Sequence, residues 1–341
     1  MKKRIASLVI ATGLLITAGC TNATKSNGDV VDAMENLINS SSYTFQSNAN
    51  LHVTVPDQMM NQEVAPLAAI VDNVDVSIEG IYVKDPQQYE LDMNIQTTGD
   101  VGFNFHLPVI ITKDKLWVKI PSNYAGMFGM NGVGNKFYEV DLEDGETMAG
   151  LEMTPADAQK LGLQIARIFV DEYNGTLLKS VNTKEAGLDG TDVQNLTRLS
   201  VANKDIEQVM TIGARKVSPR LLELLTSAEW KDKVDLSESD IADFKENTDV
   251  TDEEIEKAAS EFDDYIHINN FTSDIGTNKK NEIVYATFSM DVDIVDSNLT
   301  DYEKDKSTGN IIINSTTTFN NFGEKPVFKF GIPNEEDIVR E

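Results

Sequence analysis

The stretch Tyr89-Glu90-Leu91-Asp92-Met93-Asn94-Ile95 alternates apolar and polar residues without a break. A period of two puts Tyr89, Leu91, Met93 and Ile95 on one side of an extended chain and Glu90, Asp92 and Asn94 on the other. This pattern predicts an antiparallel strand with one buried and one solvated face. The period extends upstream through Tyr43, Phe45, Leu51, Val53 and Val55, then through Val74, Val76, Ile78, Ile81 and Val83. Downstream it continues through Phe103, Phe105 and Leu107. A turn at Lys113-Asp114 leads into Leu116 to Ile120, and Phe137 to Val140 adds a short strand.

The middle of the chain, about residues 150–262, reads differently. Thr154-Pro155-Ala156-Asp157 is a helix start, with a cap, a proline in the first turn and an early acid. Leu161, Ile165, Ile168 and Phe169 follow at helical spacing. After a strand-like patch at 193–201, further helices are expected from Ser218-Pro219, from Ser237, and from the capping box Thr251-x-x-Glu254. From Tyr265 the two-residue period returns. It runs through 283–294 and 311–319 to a last expected strand at Val327, Phe328 and Phe330. Val30 to Ile38 has helical spacing ahead of the first strand. Strands, then helices, then strands predict a single α+β domain over 30–341, with helices on one face of a large antiparallel sheet.

Lys2, Lys3 and Arg4 precede an apolar run from Ile5 to Ile16, then Thr17-Ala18-Gly19-Cys20. A basic start, a short apolar run and small residues read as a secretory signal over residues 1–19. The run is too short for a stable span, which needs roughly 20 apolar residues. Cys20 is the only cysteine of the chain, and its position resembles the lipobox of bacterial lipoproteins, though Thr17 stands where leucine is commonest. The resemblance implies that Cys20 is acylated and opens the mature protein. Residues 20–29 then read as a flexible polar tether. An acylated Cys20 leaves no thiol for a disulfide, a thiolate metal site or a nucleophile.

The chain holds 29 Lys+Arg and 56 Asp+Glu. Residues 1–19 carry three of the bases and none of the acids, so the rest has a net charge of −30. That balance argues against nucleic acid and against adsorption to anionic headgroups, both of which need clustered cations. The expected membrane contact is the lipid on Cys20, and the expected location is the extracytoplasmic face of the cell membrane.

The opening Ser42-Tyr43-Thr44-Phe45 and the ending Phe322-Gly323-Glu324-Lys325-Pro326-Val327, followed by Pro333 and an acidic tail, resemble bacterial lipoproteins of the LolA/LppX-like fold. Among these the chain is most similar to uncharacterised lipoproteins of Gram-positive bacteria. The resemblance implies an unclosed β-barrel, that is, a bent antiparallel sheet with helices across its concave side. It also implies a space there for acyl chains, and it brings no catalytic residues.

Candidate chemistry is sparse. His52, His106 and His267 all fall on polar strand positions, and HExxH spacing is absent. Asp141, Glu143, Asp144 and Glu146 do not fit a calcium-loop template. Gly-x-Ser-x-Gly is absent, and the glycines at 126–134 lack the sequence of a phosphate loop. No catalytic residue, metal site or cofactor is expected. Met127, Phe128 and Met130 could form an adaptable flap over an apolar opening, and Met59, Met60 and Val64 to Val71 invite the same reading. If a cavity exists, the stripe Leu161, Ile165, Ile168 and Phe169 would line it; otherwise these residues fill a core. The leading expectation is a non-enzymatic lipoprotein that binds a lipid between sheet and helices. The alternative is a surface module with a filled interior that binds protein or cell wall. A hydrolase is the third reading.

Overall fold

A computed structural model describes residues 27–55, 72–98, 102–119, 121, 136–142, 155–234, 236–246, 250–294 and 309–340. Cys20, Met127, Phe128 and Met130 lie outside them, as do Met59, Met60 and Val64 to Val71. The strands are β1 (Ser42–Thr54), β2 (Asn73–Lys84), β3 (Gln87–Thr97), β4 (Asn104–Thr112), β5 (Lys115–Lys119) and β6 (Phe137–Asp141). Then come β7 (Leu178–Val181), β8 (Asn195–Val201), β9 (Ile266–Thr277), β10 (Ile283–Ile294), β11 (Gly309–Asn320) and β12 (Ile338–Val339). The helices are α1 (Asn27–Asn39), α2 (Pro155–Tyr173), α3 (Ile206–Ile212), α4 (Ser218–Leu225), α5 (Glu238–Glu246) and α6 (Asp252–Tyr265). The fold is α+β. The twelve strands among the described residues form one sheet in the order β12-β6-β5-β4-β3-β2-β1-β11-β10-β9-β8-β7. The two ends of that order do not pair, so the sheet is open. The described pairings are antiparallel except that of β12 with β6.

The described residues fall into two compact units, within Met1–Leu37 plus Thr147–Ile311 and within Ile38–Glu146 plus Ile312–Glu341. In the first unit the helices pack on one another and, through α6, on β9. Trp230 is fully buried with Leu161 and Leu225, and Ile165 and Leu224 pack around them. The Trp230 indole N–H donates to the Gln164 carbonyl at 2.7 Å, so its one polar atom is satisfied. A second cluster joins Ile168, Ile212 and Val217, with Phe169 and Tyr173 against it. Helices α3 and α4 run together through a π-turn at Gly213–Val217. The sequence predicts a fresh helix start at Ser218-Pro219. Instead the wider turn lets the helix continue into Pro219, which lacks an N–H and would crowd a regular preceding turn. The capping box at α6 forms as expected: the Thr251 hydroxyl accepts the Glu254 N–H at 3.2 Å, and the Glu254 carboxylate accepts the Thr251 N–H at 2.8 Å.

In the second unit β1 to β6 form a meander. Its registers set Tyr43 opposite Tyr82 and Tyr82 opposite Tyr89, with ring centroids 4.9 and 4.6 Å apart. The Phe45 ring lies over Gly80, where an added Cβ would come within 2.1 Å of it. The expected last strand at 327–330 does not join the ladder. After β11, Asn321 and Gly323 take left-handed backbone, with φ of 58° and 71°. The chain then turns back so that Gly323 N–H donates to the Ser42 carbonyl at 2.9 Å. The backbone N–H groups of Lys329, Phe330 and Gly331 donate to the Glu90 carboxylate at 2.6, 3.1 and 2.8 Å. A side chain, not a neighbouring strand, therefore satisfies this segment.

Candidate functional site

The pleat gives β1–β4 two faces of opposite character. One carries Phe45, Leu51, Val53, Val76, Ile78, Leu91, Met93, Ile95 and Leu107 together with the tyrosine row. Tyr82 and Phe105 on this face are buried, while the other residues just named are only half-buried. Burial pushes the Tyr43, Tyr82 and Tyr89 hydroxyls above the usual phenol range, most strongly for Tyr43. The face is thus apolar, aromatic at one end, and incompletely covered.

The other face is polar and divides in two. Toward β6 it is sealed by the C-terminal segment. Ile110, Trp117 and Phe137 form a buried cluster there, with Phe330 and Ile338 packed against it. Around that cluster sit buried carboxylates. Glu139 accepts from the Trp117 indole at 2.8 Å, from Lys115 at 2.8 Å and from Arg340 at 2.6 Å. Arg340, then Lys115, hold its carboxyl at about 2 against the opposing effect of burial. Asp92 pairs with Lys329 and His106. Burial pushes Asp92 up, but these two partners outweigh it and hold the carboxyl below its ordinary value. These groups fasten the C-terminal segment; a buried carboxylate is tolerable only with such partners.

The rest of the polar face is a groove of about 320 Å³. Its walls are Asn48, Ala49 and Asn50 of β1, Asp75, Val76 and Ser77 of β2, Asn94 and Gln96 of β3, Asn104 of β4, and Asn314, Ser315 and Thr316 of β11. In the first unit a second groove of about 310 Å³ lies among Met210, Ala214, Ser218, Val250, Ile255 and Ala258, with Glu254 at its edge.

The candidates named from the sequence are dispersed. Leu161 and Ile168 are buried, and Ile165 and Phe169 pack against the same helical clusters, so the α2 stripe fills the core of the first unit. Each histidine has its own aspartate: His52 stands 3.7 Å from Asp72, His106 pairs with Asp92, and His267 stands 3.1 Å from Asp263. Among the described residues no group of three or more His, Cys, Asp or Glu could hold a metal ion. Also among the described residues, no helix is long and apolar enough to cross a membrane. Sequence reading missed the amide-lined groove and the carboxylate clamp. The density of asparagine on strand positions signals the first; nothing local signals the second, because its partners are some 200 residues apart.

No family model matches the chain, and no curated protein matches it. Among solved structures, the chain is similar to a beta-barrel-like protein of a domain of unknown function, DUF1849, from Brucella abortus. The identity is 7% over 82% of this chain and 98% of that one, with a TM-score of 0.20.

Proposed function

We propose that this protein is a non-enzymatic, lipid-anchored protein of the extracytoplasmic face of the cell membrane, and that the apolar face of β1–β4 holds an apolar, acyl-chain-like ligand. The observation that carries the reading is the incomplete burial of that face. Apolar residues on one sheet face are ordinarily buried against another layer. Here Phe45, Ile78, Leu91, Met93 and Ile95 keep partial exposure along three adjacent strands. An apolar chain laid along them would remove that surface from water, at about 25 cal/mol per Å². The ligand surface resides on the sheet of the second unit, and the α2 stripe has no part in it. The anchor is Cys20, on the lipobox-like ITAGC sequence.

One observation favours the alternative of an interaction module: of the two grooves described, one is polar and the other lies among helices. A fluorescent fatty-acid probe separates the readings. The unaltered protein is expected to bind it saturably, and Met93→Lys, which sets a charge on the half-exposed face, to bind it at least about tenfold more weakly with an unchanged melting temperature. Absence of saturable binding, or equal binding by the variant, would overturn the proposal. Cys20→Ser is expected to move the protein out of the membrane fraction or leave it unprocessed.

A further inference from the structure

We propose that the groove on the opposite, polar face of the second unit is a binding site for a neutral oligosaccharide. The register aligns Asn48, Ser77 and Asn94 in one row and Asn50, Asp75, Gln96 and Asn104 in the next, so amides from β1, β3 and β4 converge onto one surface.

Three features set this surface apart from an ordinary solvated sheet face. Asparagine is depleted in strands, because its side chain competes for backbone hydrogen bonds and packs poorly on a pleat. Its concentration here needs a cause other than folding. The chain is 25% charged, yet among these positions only Asp75 carries a charge. Solubility alone would have been served by lysine and glutamate. Finally, among the described residues the side-chain amides of Asn48, Asn94, Gln96 and Asn104 make no hydrogen bond to the protein, and all four are exposed. By contrast, Asn50 is committed to Asn73 and Asp75 at 2.7 and 2.9 Å.

Each free amide offers two donors and one acceptor close together. That pattern matches neighbouring sugar hydroxyls, which also donate and accept, and the acetamido group of an N-acetylated sugar. A phosphate or carboxylate ligand would call for Arg or Lys, and a cation for several carboxylates. The near-neutral wall fits neither. At about 320 Å³ the groove is at the lower end of small-ligand sites, which suits a short segment of a chain rather than a whole large molecule. Of the residues named on the apolar face only Val76 also lines the groove, and none of the groove's side-chain amides lies on that face, so the site stands or falls separately from the lipid-binding reading.

The test is an NMR titration of the purified protein with tetra-N-acetylchitotetraose, and with cellotetraose as a neutral sugar without acetamido groups. The expected result is saturable shifts of the side-chain NH₂ signals of Asn48, Asn94, Gln96 and Asn104 by at least one sugar, with a Kd on the order of 1 mM or tighter. Asn94→Ala should weaken binding about fivefold, the loss of one net hydrogen bond. It should leave the melting temperature and the binding of the fatty-acid probe unchanged. No saturable shift with either sugar, shifts that map outside the groove, or equal binding by Asn94→Ala would overturn the proposal.

Discussion

In the first unit half of the α2 stripe, Leu161 and Ile168, is buried, and the half-buried Ile165 and Phe169 pack against the same apolar clusters. Leu161, Ile168, Ile212 and Trp230 are all buried, and each sits among other apolar side chains. In the second unit β3 shows the reverse. Its polar Gln88, Glu90 and Asp92 are buried, while its apolar Tyr89, Leu91 and Met93 remain half-exposed. The apolar pattern is legible in both regions, at helical spacing in the first and by alternation in the second. What differs is which face a later piece of chain covers, and in the second unit the C-terminal segment covers the polar one. Burial there is sustained by charge-assisted hydrogen bonds to Glu90, Asp92 and Glu139, not by apolar contact alone. A filled apolar core supports stability; an apolar face left partly open is available to a ligand.

The sharpest way to break this comparison is a pair of truncations read by chemical unfolding. Trp230→Ala should cost about 3–5 kcal/mol, as expected for a packed core. Phe45→Ala should cost only about 1–2 kcal/mol, because its ring is half-buried to begin with. Equal costs would mean that the apolar face is as filled as the helical core. The next test adds volume. Gly80→Val drives a side chain into the Phe45 ring and should destabilise by about 1–3 kcal/mol. Combining it with Phe45→Ala should restore much of the loss in a double-mutant cycle, since the clash partner is gone.

A smaller effect is expected in acid. The Glu139 carboxyl is held at about 2 in the folded protein, below its ordinary 4.5. A group depressed on folding contributes stability above its unfolded value and loses it as pH falls toward its folded value. The unaltered protein should therefore lose stability as pH drops from about 4.5 toward 2, and Glu139→Gln should flatten that part of the profile. An unchanged slope would show that Glu139 is not a fastening point for Arg340. The smallest effect belongs to the first unit: Thr251→Ala removes the α6 cap and should cost about 1 kcal/mol in thermal unfolding. A larger loss would mean that this exposed helix end supports more of the helical core than its burial implies.

Much of the architecture was legible because it is periodic. Alternation located β1 to β5 and β9 to β11, and the cap signals at Pro155 and Thr251 located α2 and α6. Phe322 and Gly323 were visible only as part of the closing family-like signature, yet the left-handed backbone at Asn321 and Gly323 is what sends the C-terminal segment back. The short β7 and β12 carry too few residues for a period to show. The expected strand at 327–330 failed because propensity does not say what partner a backbone N–H will find, and here the partner is Glu90. Of the candidate site, the apolar residues were legible and their incomplete burial was not.

The sequence by itself therefore determined the class of the fold, the two faces of each long strand and the starts of the main helices. These are local properties, set by side-chain spacing and by the conformational preferences of a few residues. Only the tertiary structure decided that the α2 stripe fills a helical core and that Glu90 and Glu139 hold the C-terminal segment. It alone gathered the scattered asparagines into one groove and left the apolar face of β1–β4 half-open. Those outcomes depend on contacts between residues as far apart as Glu90 and Gly331, 241 positions along the chain. No local pattern encodes which distant segment closes over a face, because that choice is made by the packing of the whole.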